Sequence, residues 1–325
     1  MRLRQRTENM QEIEKKIRNE QDFLILGHIS PDGDTIGSGM ALLLALQGLG
    51  KSAIFAVDGK LPEKMAFLSD YAKVYSFAEV PKRQYGCVIA VDVSDRERMG
   101  KCQALFDASP NTIVIDHHGT NPGFGGSNHI ETVGATGLLI YRLLQQLQVP
   151  LTKQVADLLY LAICTDTGNF SYSNTEAEIL HMAAELREAG ADIPLIIENI
   201  YKARSLGATR LIGRSLEHLI LAEEGKIALS YILQEDFREL GALVEDTEEL
   251  INYTREIKSV EIAIFLRQSE EEQFKISFRS KNYADVAALA SEFEGGGHVH
   301  ASGGKIQAPL QVAIARLLEA AAKKL

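Results

Sequence analysis

Short apolar runs alternate with longer stretches of helical period through the first 190 positions. DFLILG (22–27), SAIFAV (52–57), CVIAVD (87–92) and TIVID (112–116) show no polar alternation, as expected of strands buried on both faces. Helices are predicted over about 9–20 and over GMALLLALQGLG (39–50), which Gly50 closes. Three consecutive helices follow at 134–148, 153–169 and 175–190. Strands separated by helical segments imply βαβ units and a mostly parallel sheet. The grammar changes after about residue 195. A helix over 209–221 leads to the strand KIALSYI (226–232), and VEIAIFLRQ (260–268) and QFKISFRS (273–280) flank SEEE as a hairpin. A helix near 283–293, a glycine cluster that suits neither helix nor strand, and a final helix over 309–323 complete the chain. The predicted class is α/β, with a mostly parallel-sheet domain over 1–191, a linker at 192–208 and a smaller α/β domain over 209–325.

A length of 325 residues fits two domains. With 46% hydrophobic and 24% charged residues the composition is that of a globular protein, which excludes disorder as the main state. No apolar run of about 18 residues exists, so no membrane span is expected. The charged N-terminus, MRLRQRTENMQEIEKKIRNE, has no apolar signal core. Cys87, Cys102 and Cys164 cannot make a disulfide framework, and a cytoplasmic setting is expected. The net charge of −10, with no basic stripe, argues against a protein that grips long duplex by its phosphates. Any phosphate substrate has to meet local positive charge, from a few Arg and Lys or from bound metal.

Chemistry gathers first in GHISPDGDTIGSG (27–39), directly after a strand, with His28, Asp32 and Asp34. Asp92 ends a second strand, and Asp116, His117 and His118 end a third. In open α/β sheets, sites form at the carboxyl ends of strands, so three strands deliver Asp or His to one sheet edge. Asp166 follows an apolar helical run, where an unpaired carboxylate is costly. Singly, these residues suit turns and helix caps: Asp32 and Asp34 flank Gly33 after Pro31, and Asp92 precedes a helical segment. Jointly, carboxylates and imidazoles without thiolates fit Mn, Fe or Zn in a catalytic role. At least four carboxylates and two imidazoles exceed the need of one ion and suit two, which can clamp an in-line displacement at phosphorus.

In this order and spacing, His28-x3-Asp32-x-Asp34, Asp92, Asp116-His117-His118 and Asp166 resemble the four motifs of the DHH phosphoesterase superfamily. The resemblance implies one ion held by His28, Asp32 and Asp92 and another by Asp34, Asp92, His117 and Asp166, with Asp92 bridging. It implies that His118 lies against the scissile phosphate, that Asp116 orients a histidine, and that the metal is manganese. Further on, Arg279-Ser280 after a strand and EGGGHVHASGG (294–304) resemble the DHH-associated C-terminal domain. That implies a substrate-end site of Arg279, Ser280, Gly296, Gly297, His298, Ser302 and Gly303, with the catalytic site in a cleft between the domains. His300 departs from the pattern. Length and the absence of spans narrow the resemblance to the compact nanoRNase and pAp phosphatase type. It implies hydrolysis of short single-stranded oligoribonucleotides to mononucleotides and of 3′-phosphoadenosine 5′-phosphate (pAp) to AMP. Linear pApA, inorganic polyphosphate and pyrophosphate stand as alternative substrates, and monomer and homodimer both stay open.

Overall fold

The structure, a computed structural model, describes residues 2–247 and 249–325, with side chains from residue 8 onward. It divides into two compact units, Met1–Ala203 and Arg204–Leu325. The division falls inside the segment 192–208 expected as a linker, which carries helical turns at both ends.

The first unit runs α1 (Arg2–Asn19), β1 (Asp22–Leu26), α2 (Gly33–Gly48), β2 (Ser52–Val57), β3 (Val74–Ser76), β4 (Cys87–Val91), α3 (Gln103–Asp107), β5 (Thr112–Asp116), β6 (Ser127–Ile130), α4 (Thr136–Leu147), α5 (Lys153–Asp166), α6 (Ala177–Glu188) and α7 (Ile193–Ile197). Its six strands are all parallel, in the order β3-β2-β1-β4-β5-β6. The apolar runs are continuous because both sheet faces are covered. Phe23 and Ile25 of β1 pack with the helices on one face, and Leu24 and Leu26 join Met99 and Phe106 on the other. Each such fully buried side chain contributes about 1.5–3 kcal/mol. The order reverses direction beside β1, the switch point at which α/β sheets open a crevice. Two strands carry no apolar run in the sequence: β3 is three residues long, and three of the four residues of β6, SNHI, are polar.

The second unit runs α8 (Leu206–Glu217), β7 (Ile220–Ala222), β8 (Ile227–Ile232), α9 (Gln234–Leu240), α10 (Leu250–Arg255), β9 (Ile262–Glu270), β10 (Gln273–Ser280), α11 (Val286–Ala290), β11 (Gly296–His298), β12 (Ala301–Gln307) and α12 (Leu310–Ala322). The mixed sheet has the order β11-β12-β10-β9-β8-β7. The predicted hairpin is β9–β10. Three expectations need correcting. The helix expected to reach 221 stops at Glu217 and gives way to β7. The helix expected over 283–293 shrinks to α11 and a 3-10 turn, because Asp285 caps it late by accepting from the Ala287 and Ala288 amides. The glycine cluster does form a strand: Gly296, Gly297 and His298 pair with Gly303, Ser302 and Ala301. Bare backbone is what permits this, since Gly297 sits at φ 145° and a Cβ there would lie 2.7 Å from the Ala301 carbonyl oxygen. Among the described residues, no helix is long and apolar enough to cross a membrane.

Candidate metal centre

Strand order places the carboxyl ends of β1, β4 and β5 side by side. His28 follows β1, Asp92 follows β4, and Asp116, His117 and His118 close β5. Helices complete the set. Asp32 caps α2 by accepting from the Thr35 amide at 3.0 Å, which leaves Asp34 in the first turn, fully buried. Asp166 ends α5. The helices α2 and α5 approach closely because Gly37 has no side chain; a Cβ there would lie 2.4 Å from the Leu158 carbonyl oxygen.

Every predicted ligand of the first unit converges. His28 Nε2 lies 3.8 Å from Asp32 Oδ2 and 3.7 Å from Asp92 Oδ2. His117 Nε2 lies 3.3 Å from Asp166 Oδ2, 3.7 Å from Asp92 Oδ1 and 4.0 Å from Asp34 Oδ2. Three sets of donor atoms each fall within 4.8 Å of one another: His28, Asp32 and Asp92; Asp34, His117 and Asp166; and Asp92, His117 and His118. Asp92 thus turns one oxygen toward each imidazole.

Both imidazoles are oriented by backbone carbonyls. His28 Nδ1 lies 2.6 Å from the Ile29 carbonyl oxygen, and His117 Nδ1 lies 3.0 Å from that of Val133. A carbonyl only accepts, so each Nδ1 carries the proton. In a neutral ring Nε2 then presents a lone pair, and it faces carboxylate oxygens that also only accept. That opposition is relieved by a proton on the ring or by a cation held between the groups, and oriented imidazoles with neighbouring carboxylates are how proteins hold metal ions. The donor set fits divalent metal.

Burial, with the charges of Asp92 and Asp166, holds the Asp34 carboxyl well above the usual range. Burial and the Asp32 charge raise Asp92. Burial raises Asp166 to about 7, with Asp92 and Asp32 adding to it. Burial also opposes ionisation of Asp32, but the His28 hydrogen bond and charge outweigh it and bring Asp32 to about 2. The same interactions overcome burial at His28 and raise that imidazole. At His118 the leading cause is the hydrogen bond to Asp116, at 2.8 Å from Nδ1, which lifts the ring to about 9.

Several supporting groups carried no signal in the sequence. Thr35 Oγ1 donates to Asp92 Oδ2 at 2.6 Å, and Thr136 Oγ1 donates to Asp92 Oδ1 at 3.0 Å. The Thr136 and Gly137 amides at the start of α4 donate to Asp34 at 2.6 and 2.9 Å. Asn121 donates to Asp116 Oδ2 at 2.7 Å and so fixes the carboxylate that holds His118. Threonines at helix starts look like ordinary caps.

The predicted residues of the second unit lie along adjoining strands, with Arg279 opposite Ala301, Phe278 opposite Ser302 and Ser277 opposite Gly303. They divide between the two sheet faces. Ser280 and Ser302 are buried; Ser280 Oγ pairs with His300 Nδ1 at 2.8 Å, and Ser302 Oγ donates to the Val286 carbonyl. Arg279 and Gly303 lie on the opposite face, and Gly296, Gly297 and His298 form the exposed edge strand.

Residues 22–163 match the family model of the DHH family, N-terminal domain, and residues 224–325 match that of the DHHA1 domain. A Thermus thermophilus relative, the bifunctional oligoribonuclease and PAP phosphatase NrnA, is 30% identical over 308 residues, covering 94% of this chain and 91% of the relative. The chain belongs to the DHH family. As a DHH phosphoesterase it is a hydrolase of phosphoester bonds from a metal-dependent family, and its clustered imidazoles and carboxylates could hold the metal. The crystal structure of an exopolyphosphatase-related protein from Bacteroides fragilis shares the DHH fold with a TM-score of 0.92, at 26% identity over 98% of this chain and 96% of that one. A probable manganese-dependent inorganic pyrophosphatase from Streptococcus thermophilus is 27% identical over 279 residues, 83% of this chain and 82% of the relative.

Proposed function

We propose that this DHH enzyme uses two divalent ions, manganese by preference, to degrade short oligoribonucleotides to mononucleotides and to dephosphorylate pAp to AMP. The observation that carries the reading is the placement of Asp92. Its two oxygens lie 3.7 Å from the Nε2 atoms of two different histidines, His28 and His117, as a carboxylate shared between two ions requires. The activity named for the Thermus relative supports the substrate class. The metal named for the Streptococcus relative supports manganese.

In this reading His28, Asp32 and Asp92 hold one ion, and Asp34, Asp92, His117 and Asp166 hold the other. When bound, such a pair lowers the pKa of water and neutralises charge on the phosphoryl oxygens. Thr35 and Thr136 fix the Asp92 carboxylate, and the α4 amides fix Asp34. Asp116 and Asn121 hold His118 so that its ring brings a proton and positive charge to the scissile phosphate. In the second unit, Arg279 and His298 bind the substrate end beside the bare backbone of Gly296, Gly297 and Gly303. Ser280 and Ser302 keep that hairpin in place. The enzyme works in the cytoplasm.

The pyrophosphatase relative favours a second reading, hydrolysis of inorganic pyrophosphate or polyphosphate. A panel of pAp, pApA, two- to five-residue RNA, long RNA, DNA, pyrophosphate and polyphosphate with Mn separates the readings. The nuclease reading expects turnover of pAp and short RNA above all others. Turnover confined to substrates without a nucleoside would overturn it, and a sole preference for pApA would reassign the enzyme to linear dinucleotides.

A further inference from the structure

The two faces of the second unit's sheet are covered unequally. Phe274, Ile276 and Phe278 of β10 pack with Leu289, Ile314 and Leu317 under α11 and α12. On the opposite face, Leu211, Leu250 and Ile251 of α8 and α10 cover Ala263 and Phe265 of β9. Beyond them the face turns polar. Strand alternation presents Lys275, Ser277 and Arg279 of β10 there, exposed or half-buried. A depression of about 330 Å³ opens at this point, where Arg267, Lys275 and Ser277 stand beside the apolar Ile251 and Phe265.

Its charges are arranged against stability. Lys275 stands directly opposite Arg267 on β9 and opposite Lys305 on β12. Like charges facing across strands are destabilising. Lys305 is relieved by Glu294, at 2.9 Å. Arg267 and Lys275 have no hydrogen-bond or ion-pair partner among the described residues. Arg267 is half-buried, and the loss of solvent alone draws its pKa below the usual guanidinium value. Gly303, paired with Ser277, adds no side chain to the depression. Two facing cations over an open depression, in a protein of net charge −10, form a site for an anion that arrives from outside.

We propose that Arg267 and Lys275 bind a phosphate of a single-stranded oligoribonucleotide beyond the terminal group held at Arg279, and so make the enzyme sensitive to substrate length. Lys275 and Arg279 lie on the same strand and face, four residues or about 13 Å apart, so the two cations meet different phosphates of one nucleotide chain. The inference rests on the nuclease reading and adds a subsite to it.

The test uses the metal-loaded protein and fluorescein-labelled, phosphorothioate-linked ribonucleotides of two and five residues. Their affinities are measured across a salt series for the wild type, Lys275→Gln, Arg267→Gln and Arg267→Lys. The wild type is expected to bind the five-mer at least about tenfold more tightly than the dimer. Either Gln variant should erase most of that margin and reduce the five-mer's salt slope by about 0.7 for each phosphate no longer neutralised. Arg267→Lys should restore much of it. Lys275 is exposed, so its variant tests the idea even if an Arg267 variant folds poorly. An unchanged five-mer margin and salt slope in Lys275→Gln would overturn the subsite. Failure of the wild type to hydrolyse unmodified RNA of any length would overturn the nuclease reading instead, and the binding series keeps the two outcomes apart.

Discussion

Asp92 is an unfavourable residue twice over: it is a carboxylate on a residue only 1% exposed, and its backbone sits at φ 59°. A left-handed non-glycine residue costs on the order of 1–3 kcal/mol, and such positions persist where the surroundings over-determine them. Here the surroundings are two threonine hydroxyls and the Asp92 amide's own bond to the Ile115 carbonyl, at 3.0 Å. The clustering of Asp and His was legible because so many beside buried strands point to one site. The hydroxyls and amides that aim them were not, since a threonine that starts a helix looks the same whether or not it also holds a carboxylate. Arg279 offers a residue-scale test in the second unit. Hydrogen bonds to charged groups contribute about 1.5–3 kcal/mol. Arg279→Ala should therefore lower kcat/KM on pAp and short RNA by roughly ten- to a hundredfold, while a simple aryl phosphate diester with no end to grip changes little. Equal loss on both substrates, with metal content intact, would remove Arg279 from end recognition.

Elements position the site through close approach. Gly37→Ala places a methyl group against the Leu158 carbonyl oxygen and the Ala162 amide, at 2.4 and 2.9 Å. Alanine is the better helix former by about 1 kcal/mol, yet the clash should dominate and destabilise the unit by about 1–3 kcal/mol. Because α2 carries Asp34 and α5 carries Asp166, the variant should also bind metal more weakly. Thermal unfolding and a metal titration check both effects, and an unchanged melting point would show that the helices adjust freely. In the second unit Glu261 ties β9 to the turn after Arg279-Ser280. Its carboxylate accepts from the Asn282, Tyr283 and Ala284 amides at 3.0, 2.7 and 3.0 Å and from Asn282 Nδ2 at 2.9 Å. Burial alone would raise the Glu261 pKa, but these donors outweigh it and hold it below its usual value. A depressed carboxylate lends stability above its unfolded pKa, about 4.3, and the stability is lost as pH falls through the folded value. Glu261→Gln should be less stable than the wild type at pH 7 and lose less between about pH 5 and pH 3. Parallel acid limbs in denaturant titrations of the two proteins would contradict this. The continuous apolar runs of β1, β2, β4 and β5 made the first sheet readable. Strands β3, β6, β7, β11 and β12 were not readable, because pairing with a neighbour more than their own side chains makes them strands.

For the whole molecule, an acidic chain that hydrolyses phosphoester bonds has to carry its positive charge locally, and bound metal is the strongest local source. The central claim is that one carboxylate joins two ions at the edge of the parallel sheet. Metal content per chain after Mn loading and desalting, measured on the wild type and on Asp92→Asn, tests it most directly. The account predicts about two ions in the wild type, depletion of both in the variant, and a fall in kcat/KM of about a thousandfold. Two ions retained by Asp92→Asn with near-normal turnover would contradict it.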